Sequence, residues 1–105
     1  MAFAAKRFFK GALSATLTTT LYTNPGGVTS IIKDIEITNT GTVTRFVTMA
    51  LGASGVANQI FSGFGIAAGE SVQWNGHQLV LTTELITGGQ SVGTDVTVII
   101  AGVEG

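Results

Sequence analysis

The longest regular pattern in the chain is an alternation of apolar and polar residues within residues 22–39. It predicts a strand with Ile31, Ile35 and Ile37 on one face, and with Asp34, Glu36 and Thr38 on the other. The turn sequence NPGG (residues 24–27) precedes it, and NTG (residues 39–41) ends it. The segment is therefore typical of a half-buried strand in an antiparallel sheet.

Similar alternation recurs at residues 13–22, 42–51, 72–81 and 95–103, and residues 59–61 form a shorter candidate strand. The dipeptide Asn75-Gly76 predicts a type I′ hairpin turn that pairs Trp74 with His77 across two strands. We identify neither an internal repeat nor a linker. The expected core includes Ile35, Ile37, Val47, Leu79 and Val98.

About eight short strands at a spacing of roughly 8–12 residues, with no helical period, predict an all-β fold. We expect an antiparallel β-sandwich, jelly-roll-like in its strand order. A chain of 105 residues suffices for one domain with its own core. Residues 12–105 are assigned to a single β-sandwich domain, and residues 1–11 to an N-terminal arm or edge strand.

The N-terminal segment combines basic and aromatic residues, and it carries three of the five lysines and arginines. One interpretation packs it on its own domain, and the other docks it on a neighbouring subunit against acids such as Glu70, Glu84 or Glu104. We favour the neighbour, and the possible assembly contacts are Phe3, Lys6, Arg7, Phe8, Phe9 and Lys10. No continuous apolar run follows the basic cluster, so a cleaved signal is not expected.

Charge and composition narrow the possible partners. The formal net charge is −1, which makes nucleic acid an unlikely ligand, and no apolar run approaches the roughly 20 residues of a membrane helix. Charged residues make up only 10% of the chain, well below the roughly 25% of soluble domains. A small sheet protein of this kind is expected to cover much of its surface against other chains, as a homo-oligomer.

The residues with catalytic potential form no recognisable constellation. There is one histidine, no cysteine and no GxSxG sequence, and the ligand clusters of a zinc site are missing. Asp34 and Glu36 lie two apart, as on any polar strand face. We therefore expect no enzyme and no cofactor. Trp74 and His77 are interpreted as a structural stack, with a glycan or partner platform as the alternative.

The chain also resembles a known family. The sequences YTNPGG (residues 22–27), IAAGE (residues 66–70) and VIIAGVE (residues 98–104) are similar to small β-sandwich structural proteins of tailed bacteriophages, over about residues 21–104. Where those proteins have Leu-Xaa-Ala-Gly-Asp, this chain has LITGG (residues 85–89). The family has no catalytic residues to carry over.

The resemblance implies a non-enzymatic virion protein, with a capsid decoration or cement protein favoured over a tail component. Its partners would be copies of itself and other virion proteins, such as major capsid or tail proteins, and its location the virion, assembled in the host cytoplasm. The alternative is a carbohydrate-binding β-sandwich module that uses Trp74 and Tyr22 as platforms. A hydrolase that uses Asp34 is a more distant possibility.

Overall fold

The computed structural model describes residues 3–52, 59–81 and 83–105, and within them eight strands form two four-stranded antiparallel sheets. No helix in this part of the chain could span a membrane. The strands are β1 (Ala4–Ala12), β2 (Thr20–Thr23), β3 (Ser30–Asn39), β4 (Arg45–Leu51), β5 (Gln59–Ile66), β6 (Ser71–Val80), β7 (Leu85–Gln90) and β8 (Val96–Glu104).

The strand order follows from a simple nesting of pairs. The first strand pairs with the last, β2 with β7, β3 with β6, and β4 with β5. Two further pairings, β3 with β8 and β4 with β7, complete the sheets β1-β8-β3-β6 and β2-β7-β4-β5. This is the order of a jelly roll, so the predicted antiparallel β-sandwich is confirmed.

The core lies between the sheets and is built from alternate residues of the long strands. Of the expected core residues, Ile35, Ile37, Val47 and Val98 are at most 1% exposed, which confirms them. Leu79 is 48% exposed, and its assignment to the core was wrong. Val80, the next residue of the same strand, faces inward, and successive side chains of a strand point to opposite faces. Leu79 therefore faces outward.

The predicted Asn75-Gly76 hairpin does not form, because β6 runs unbroken from Ser71 to Val80. Asn75 lies opposite Asp34, and Trp74 lies opposite Ile35, in a ladder with β3 that resumes at Gln78 after a register shift at Gly76 and His77. The pairing with β3 therefore overrides the local turn preference. Gly76 is retained by packing: a Cβ there would lie 2.8 Å from the Trp74 ring.

A β-bulge in β3 corrects the predicted phase of that strand. The pairing with β8 shifts between Ile32 and Asp34, so that Lys33 is the extra residue there, whereas in the pairing with β6 Lys33 opposes both Gly76 and His77. Ile32 is consequently fully buried with Ile35 and Ile37, whereas Ile31, predicted on their side, is only half-buried on the opposite face. Sequence alternation predicts the strand but cannot place an inserted residue.

Two further segments differ from their predicted structures. Residues 14–19 form turns instead of a strand, because the Ser14 and Thr19 hydroxyls bond each other at 2.7 Å and the Thr19 hydroxyl donates to the Thr16 carbonyl at 3.0 Å. Gly88 and Gly89, a dipeptide whose composition favours a turn, lie within β7. The glycine-rich stretch of residues 52–65 falls partly outside the described residues, and β5 occupies its second half.

Two asparagines tie the sheets together at opposite ends of β3. The Asn24 side-chain amide donates to the carbonyls of Val28 (3.1 Å) and Val80 (2.9 Å). The Asn39 amide likewise donates to the carbonyls of Val43 (2.7 Å) and Ile66 (2.9 Å). Asn24 follows β2 of the sheet β2-β7-β4-β5 and bonds Val80 at the end of β6, in the other sheet. Asn39 ends β3 of the sheet β1-β8-β3-β6 and bonds Ile66 at the end of β5, in the sheet that contains β2.

The two ties are copies of one local motif, TNxGxV, at residues 23–28 and 38–43. In each, the asparagine Oδ1 accepts from the glycine two residues later, at 2.8 and 2.9 Å. The backbone N–H of Asn24 donates to the Glu84 carbonyl, and the backbone N–H of Asn39 donates to the Glu70 carbonyl. The chain therefore does contain a short internal repeat, contrary to our expectation, and the nested strand pairs bring its copies to equivalent positions.

We predict that Asn39→Ala lowers the free energy of unfolding by about 2–4 kcal/mol, since it leaves buried carbonyls without donors. Asn24→Ala should have a comparable effect, because its side chain makes the equivalent bonds. Asn75→Ala, at an exposed position of β6, is the control and should change it by less than about 0.5 kcal/mol. Chemical denaturation measures all three, and equal values for Asn39→Ala and Asn75→Ala would contradict the proposed ties.

Candidate assembly surface

The N-terminal segment is an edge strand of its own domain. β1 pairs with β8 from the partners Ala4 and Glu104 to the partners Ala12 and Thr97. The expectation that this segment docks on a neighbouring subunit is therefore wrong for its backbone, which completes the first sheet of the same chain. The reason is that β8 would otherwise expose an unpaired edge beside the buried core.

The six predicted assembly residues separate into three groups in the structure. Phe8 is 6% exposed and packs edge-on against Tyr22, with 4.8 Å between ring centroids, and Phe9 packs partly against the core. Phe3 remains 50% exposed. Lys6 joins a polar cluster, described next, while Arg7 and Lys10 are exposed. Phe3, Arg7 and Lys10 are thus open to a partner, and so is part of the Lys6 side chain, which is 42% exposed.

The polar cluster around Glu104 links the two sheets beside the Asn24 tie. Glu104 Oε2 accepts hydrogen bonds from the Tyr22 hydroxyl and from Ser30 Oγ, the latter at 2.8 Å. Lys6 Nζ lies 3.6 Å from Glu104 Oε1 and 5.9 Å from the Tyr22 ring centroid. Lys6 therefore pairs with an acid of its own chain, although we had considered Glu104 as its partner on a neighbour.

These contacts shift the pKa values of both acidic groups in the cluster. The hydrogen bond from Tyr22, aided by Ser30 and Lys6, holds the pKa of Glu104 below its usual range. Burial, together with the bond to Glu104, raises the pKa of the Tyr22 phenol. The stable arrangement is thus a carboxylate that accepts from a neutral phenol.

We predict that the cluster makes stability depend on pH in acid. The folded state lowers the pKa of Glu104, so its stabilisation is present above the unfolded pKa and is lost as pH falls, from about pH 5 downward. Glu104→Gln should lower the free energy of unfolding by about 1–2 kcal/mol at neutral pH. The free energy of unfolding of this variant should also fall less on acidification than that of the wild type. Denaturation at several pH values measures both.

Glu70→Gln is the matched control, since Glu70 is exposed in the turn before β6. It should leave the pH profile unchanged. Some acid dependence will persist in Glu104→Gln, because the Arg45 hydrogen bond also lowers the pKa of Asp95. Parallel profiles for the wild type and Glu104→Gln would rule out a contribution from the cluster.

The second ion pair lies beside the Asn39 tie. Arg45 Nε donates to both Asp95 oxygens, at 2.9 and 3.1 Å. The Asp95 carbonyl accepts from the N–H and the hydroxyl of Thr40, both at distances of 2.7–2.8 Å. Arg45 thus pairs within its own chain.

The outer face of the sheet β1-β8-β3-β6 carries five further charged residues, four of them in two columns. The register places side chains in four rows across β1, β8, β3 and β6: Ala5, Val103, Ile31 and Leu79; Arg7, Ala101, Asp34 and Asn75; Lys10, Ile99, Glu36 and Gln73; and Ala12, Thr97, Thr38 and Ser71. The basic residues lie on β1 and the acidic ones on β3. Lys33, in the bulge, adds one exposed cation beside Asp34.

Trp74 and His77 do not form the predicted cross-strand stack. They lie on one strand and alternate in burial, with Trp74 half-buried against the core and His77 exposed on the outer face. A joint platform on one face is therefore not formed by these two residues. The Trp74 indole instead packs against the core and fills the space beside Gly76.

The four edge strands differ in how they are protected against pairing with another chain. β1 has a bulge and three basic residues, β2 has four residues, and β5 has irregular pairing and a glycine at φ 58°. Charges, bulges and shortness all discourage edge pairing. β6 has ten residues and no lysine, arginine or carboxylate, although its pairing with β3 has a bulge where Gly76 and His77 together oppose Lys33.

The sequence could not reveal Glu104, Tyr22 and Ser30 as one cluster, because Glu104 lies 82 residues from Tyr22 and 74 residues from Ser30 along the chain. Within the described residues, no group of three or more histidines, aspartates or glutamates is placed to hold a metal ion. The available surface therefore consists of the charged outer face, the β6 edge and exposed apolar side chains.

Comparison with known proteins leaves the family open. No model of a known protein family matches the chain, and no curated protein matches it. Among solved structures, a chain in the structure of infectious bursal disease virus, Gx strain, aligns with a TM-score of 0.43 and 15% identity over 98% of this chain. This chain spans 32% of that neighbour's length, and a likeness at this level carries no argument about function.

Proposed function

We propose that the protein is a non-enzymatic virion structural protein that works as an oligomer, with capsid decoration favoured over a role in the tail. The observation that carries this proposal is the β6 edge, which is ten residues long and carries no lysine, arginine or carboxylate. An open edge of ten residues is a liability in a protein that works alone. It is useful in one that adds to an assembly by strand pairing.

The fold and the composition support the same proposal. Jelly rolls are a common architecture of viral shell proteins, although they also occur in lectins and cupins. Large apolar side chains remain exposed at Phe46, Phe64 and Leu81, each at least 39%. Such side chains, in a chain of only 10% charged residues, suit a protein whose surface is covered by neighbours.

The alternative of a carbohydrate-binding module depends on Trp74 and Tyr22 as open aromatic platforms. The Trp74 ring packs against the core and Tyr22 is bound by Glu104 and Phe8, so each ring is already engaged in the fold. We therefore favour assembly over glycan binding. Glycan-array binding that is lost in Trp74→Ala would reverse this preference.

The direct test is to locate the protein in particles. An antibody raised against the chain should label purified virions from the producing cells in negative-stain electron microscopy. Label distributed over the shell supports decoration, and label confined to the tail supports a tail component. Particles that carry neither label nor the chain by mass spectrometry would contradict the proposal.

We predict that lysines on the β6 edge abolish assembly without unfolding the domain. The double variant Asn75→Lys, His77→Lys places two cations on exposed positions of that edge, as natural edge strands do. Its incorporation into particles should fall about tenfold or more, because buried like charges oppose pairing. Thr42→Lys, Thr44→Lys, at exposed loop positions, is the control, and equal incorporation of both variants would exclude the edge.

A further inference from the structure

We infer that the outer face of strands β1, β8 and β3 binds the same face of a second copy of this chain, through a two-fold axis roughly parallel to β8. This inference deepens the proposed assembly function by naming a partner and a surface other than the β6 edge. It depends on the arrangement of charges on the face, which is self-complementary, and not on the open edge.

The rows of the face supply the geometry. In one row Lys10 lies on β1, Ile99 on β8 and Glu36 on β3. A rotation of 180° about an axis over β8 exchanges β1 and β3 and leaves each row at the same height. Lys10 of one copy then faces Glu36 of the other, and Ile99 faces Ile99, as an isologous contact requires.

The neighbouring rows fit the same operation. Arg7 comes opposite Asp34, although Lys33 in the adjacent bulge weakens that pair. Ala5 comes opposite Ile31, and the half-buried Val103 lies near the axis opposite itself. Apolar side chains thus occupy the line of the axis, and opposite charges flank it on both sides, the arrangement of an interface with a dry centre and a polar rim.

The charges on this face have no ion-pair partner among the described residues of their own chain, whose two ion pairs are Lys6 with Glu104 and Arg45 with Asp95. Lys10 and Glu36 are separated by β8, and two strand spacings amount to about 10 Å. At physiological salt that distance is about one Debye length, so their attraction within one chain is screened. A second copy brings them to contact distance.

The size of the face sets the expected strength of binding. Three strands of nine or ten residues cover roughly 14 Å by 30 Å, on the order of 400 Å² per copy. That area belongs to the weak class of interfaces, so we expect a dissociation constant on the order of 100 μM for the free chain. In an ordered array, neighbouring contacts would raise the effective concentration and make the pairing persistent.

A charge-swap experiment on the purified full chain tests the inference. Sedimentation equilibrium measures the dimer dissociation constant of the wild type, of Lys10→Glu, of Glu36→Lys and of the double variant that carries both. Each single reversal places like charges opposite each other and should raise the constant about tenfold or more. The double variant restores opposite charges between copies and should return to within about threefold of the wild type.

Two controls separate this surface from general effects. Glu70→Lys, in the exposed turn before β6, makes the same charge change as Glu36→Lys outside the face and should leave the constant unchanged. Ile99→Arg should abolish the dimer, whereas Val92→Arg, at an apolar residue 53% exposed in a loop, should not. Denaturation curves confirm that each variant is folded.

A monomeric wild type at millimolar concentration would overturn the inference, as would a dimer that survives both single reversals. A folded double variant that remains monomeric would also overturn it, because a face for a different protein gains nothing from the swap. The result is independent of particle labelling. A dimer that is absent from virions refutes the proposed function alone, and a virion protein that fails the swap refutes this inference alone.

Discussion

The two buried asparagine ties fix how the sheets of this sandwich lie against each other. Asn24 and Asn39 are at most 1% exposed, so their amides cannot exchange the bonded carbonyls for water. If one sheet slid along the other, a buried amide and two carbonyls would lose their partners at each end, which is costly in an apolar surrounding. The aliphatic core has no comparable directional bonds. It provides the attraction between the sheets, and the ties provide the alignment.

The regularity of alternation along each strand decides which parts of the fold could be predicted from sequence. Strand β8 and the second half of β3 were correct, because their buried and exposed residues alternate without interruption, and Gly26 and Gly27 do adopt positive φ in the predicted turn. The first half of β3 was out of phase because one bulge residue, Lys33, is invisible to a count of alternation. The Asn75-Gly76 turn failed because a ladder of eight residue pairs with β3 outweighs a two-residue preference.

The candidate site was less predictable than the fold, for a physical reason. Whether Lys6 or Lys10 is open to a partner depends on the side of β1 on which each lies, and the β1 bulge at Phe8 decides this. The sequence shows that both residues are basic. It does not show that Lys6 pairs with Glu104 whereas Lys10 has no ion pair among the described residues. The opposed columns on β1 and β3 arise from segments about 25 residues apart in the chain. They become neighbours of β8 only through the jelly-roll order.

The distribution of the few charges then follows a consistent logic. Asp95 and Glu104 are paired within the chain at the two ends, next to the asparagine ties, where they reinforce the alignment of the sheets. The charges left over are concentrated on one sheet face, and β6 has none. A face with opposed charge columns selects a partner with the matching pattern, since a wrong partner would bring like charges together. An uncharged edge supplies backbone hydrogen bonds without such selection. Together they would let a small domain with individually weak contacts join an ordered layer in one orientation, because several weak contacts act jointly once the first is made.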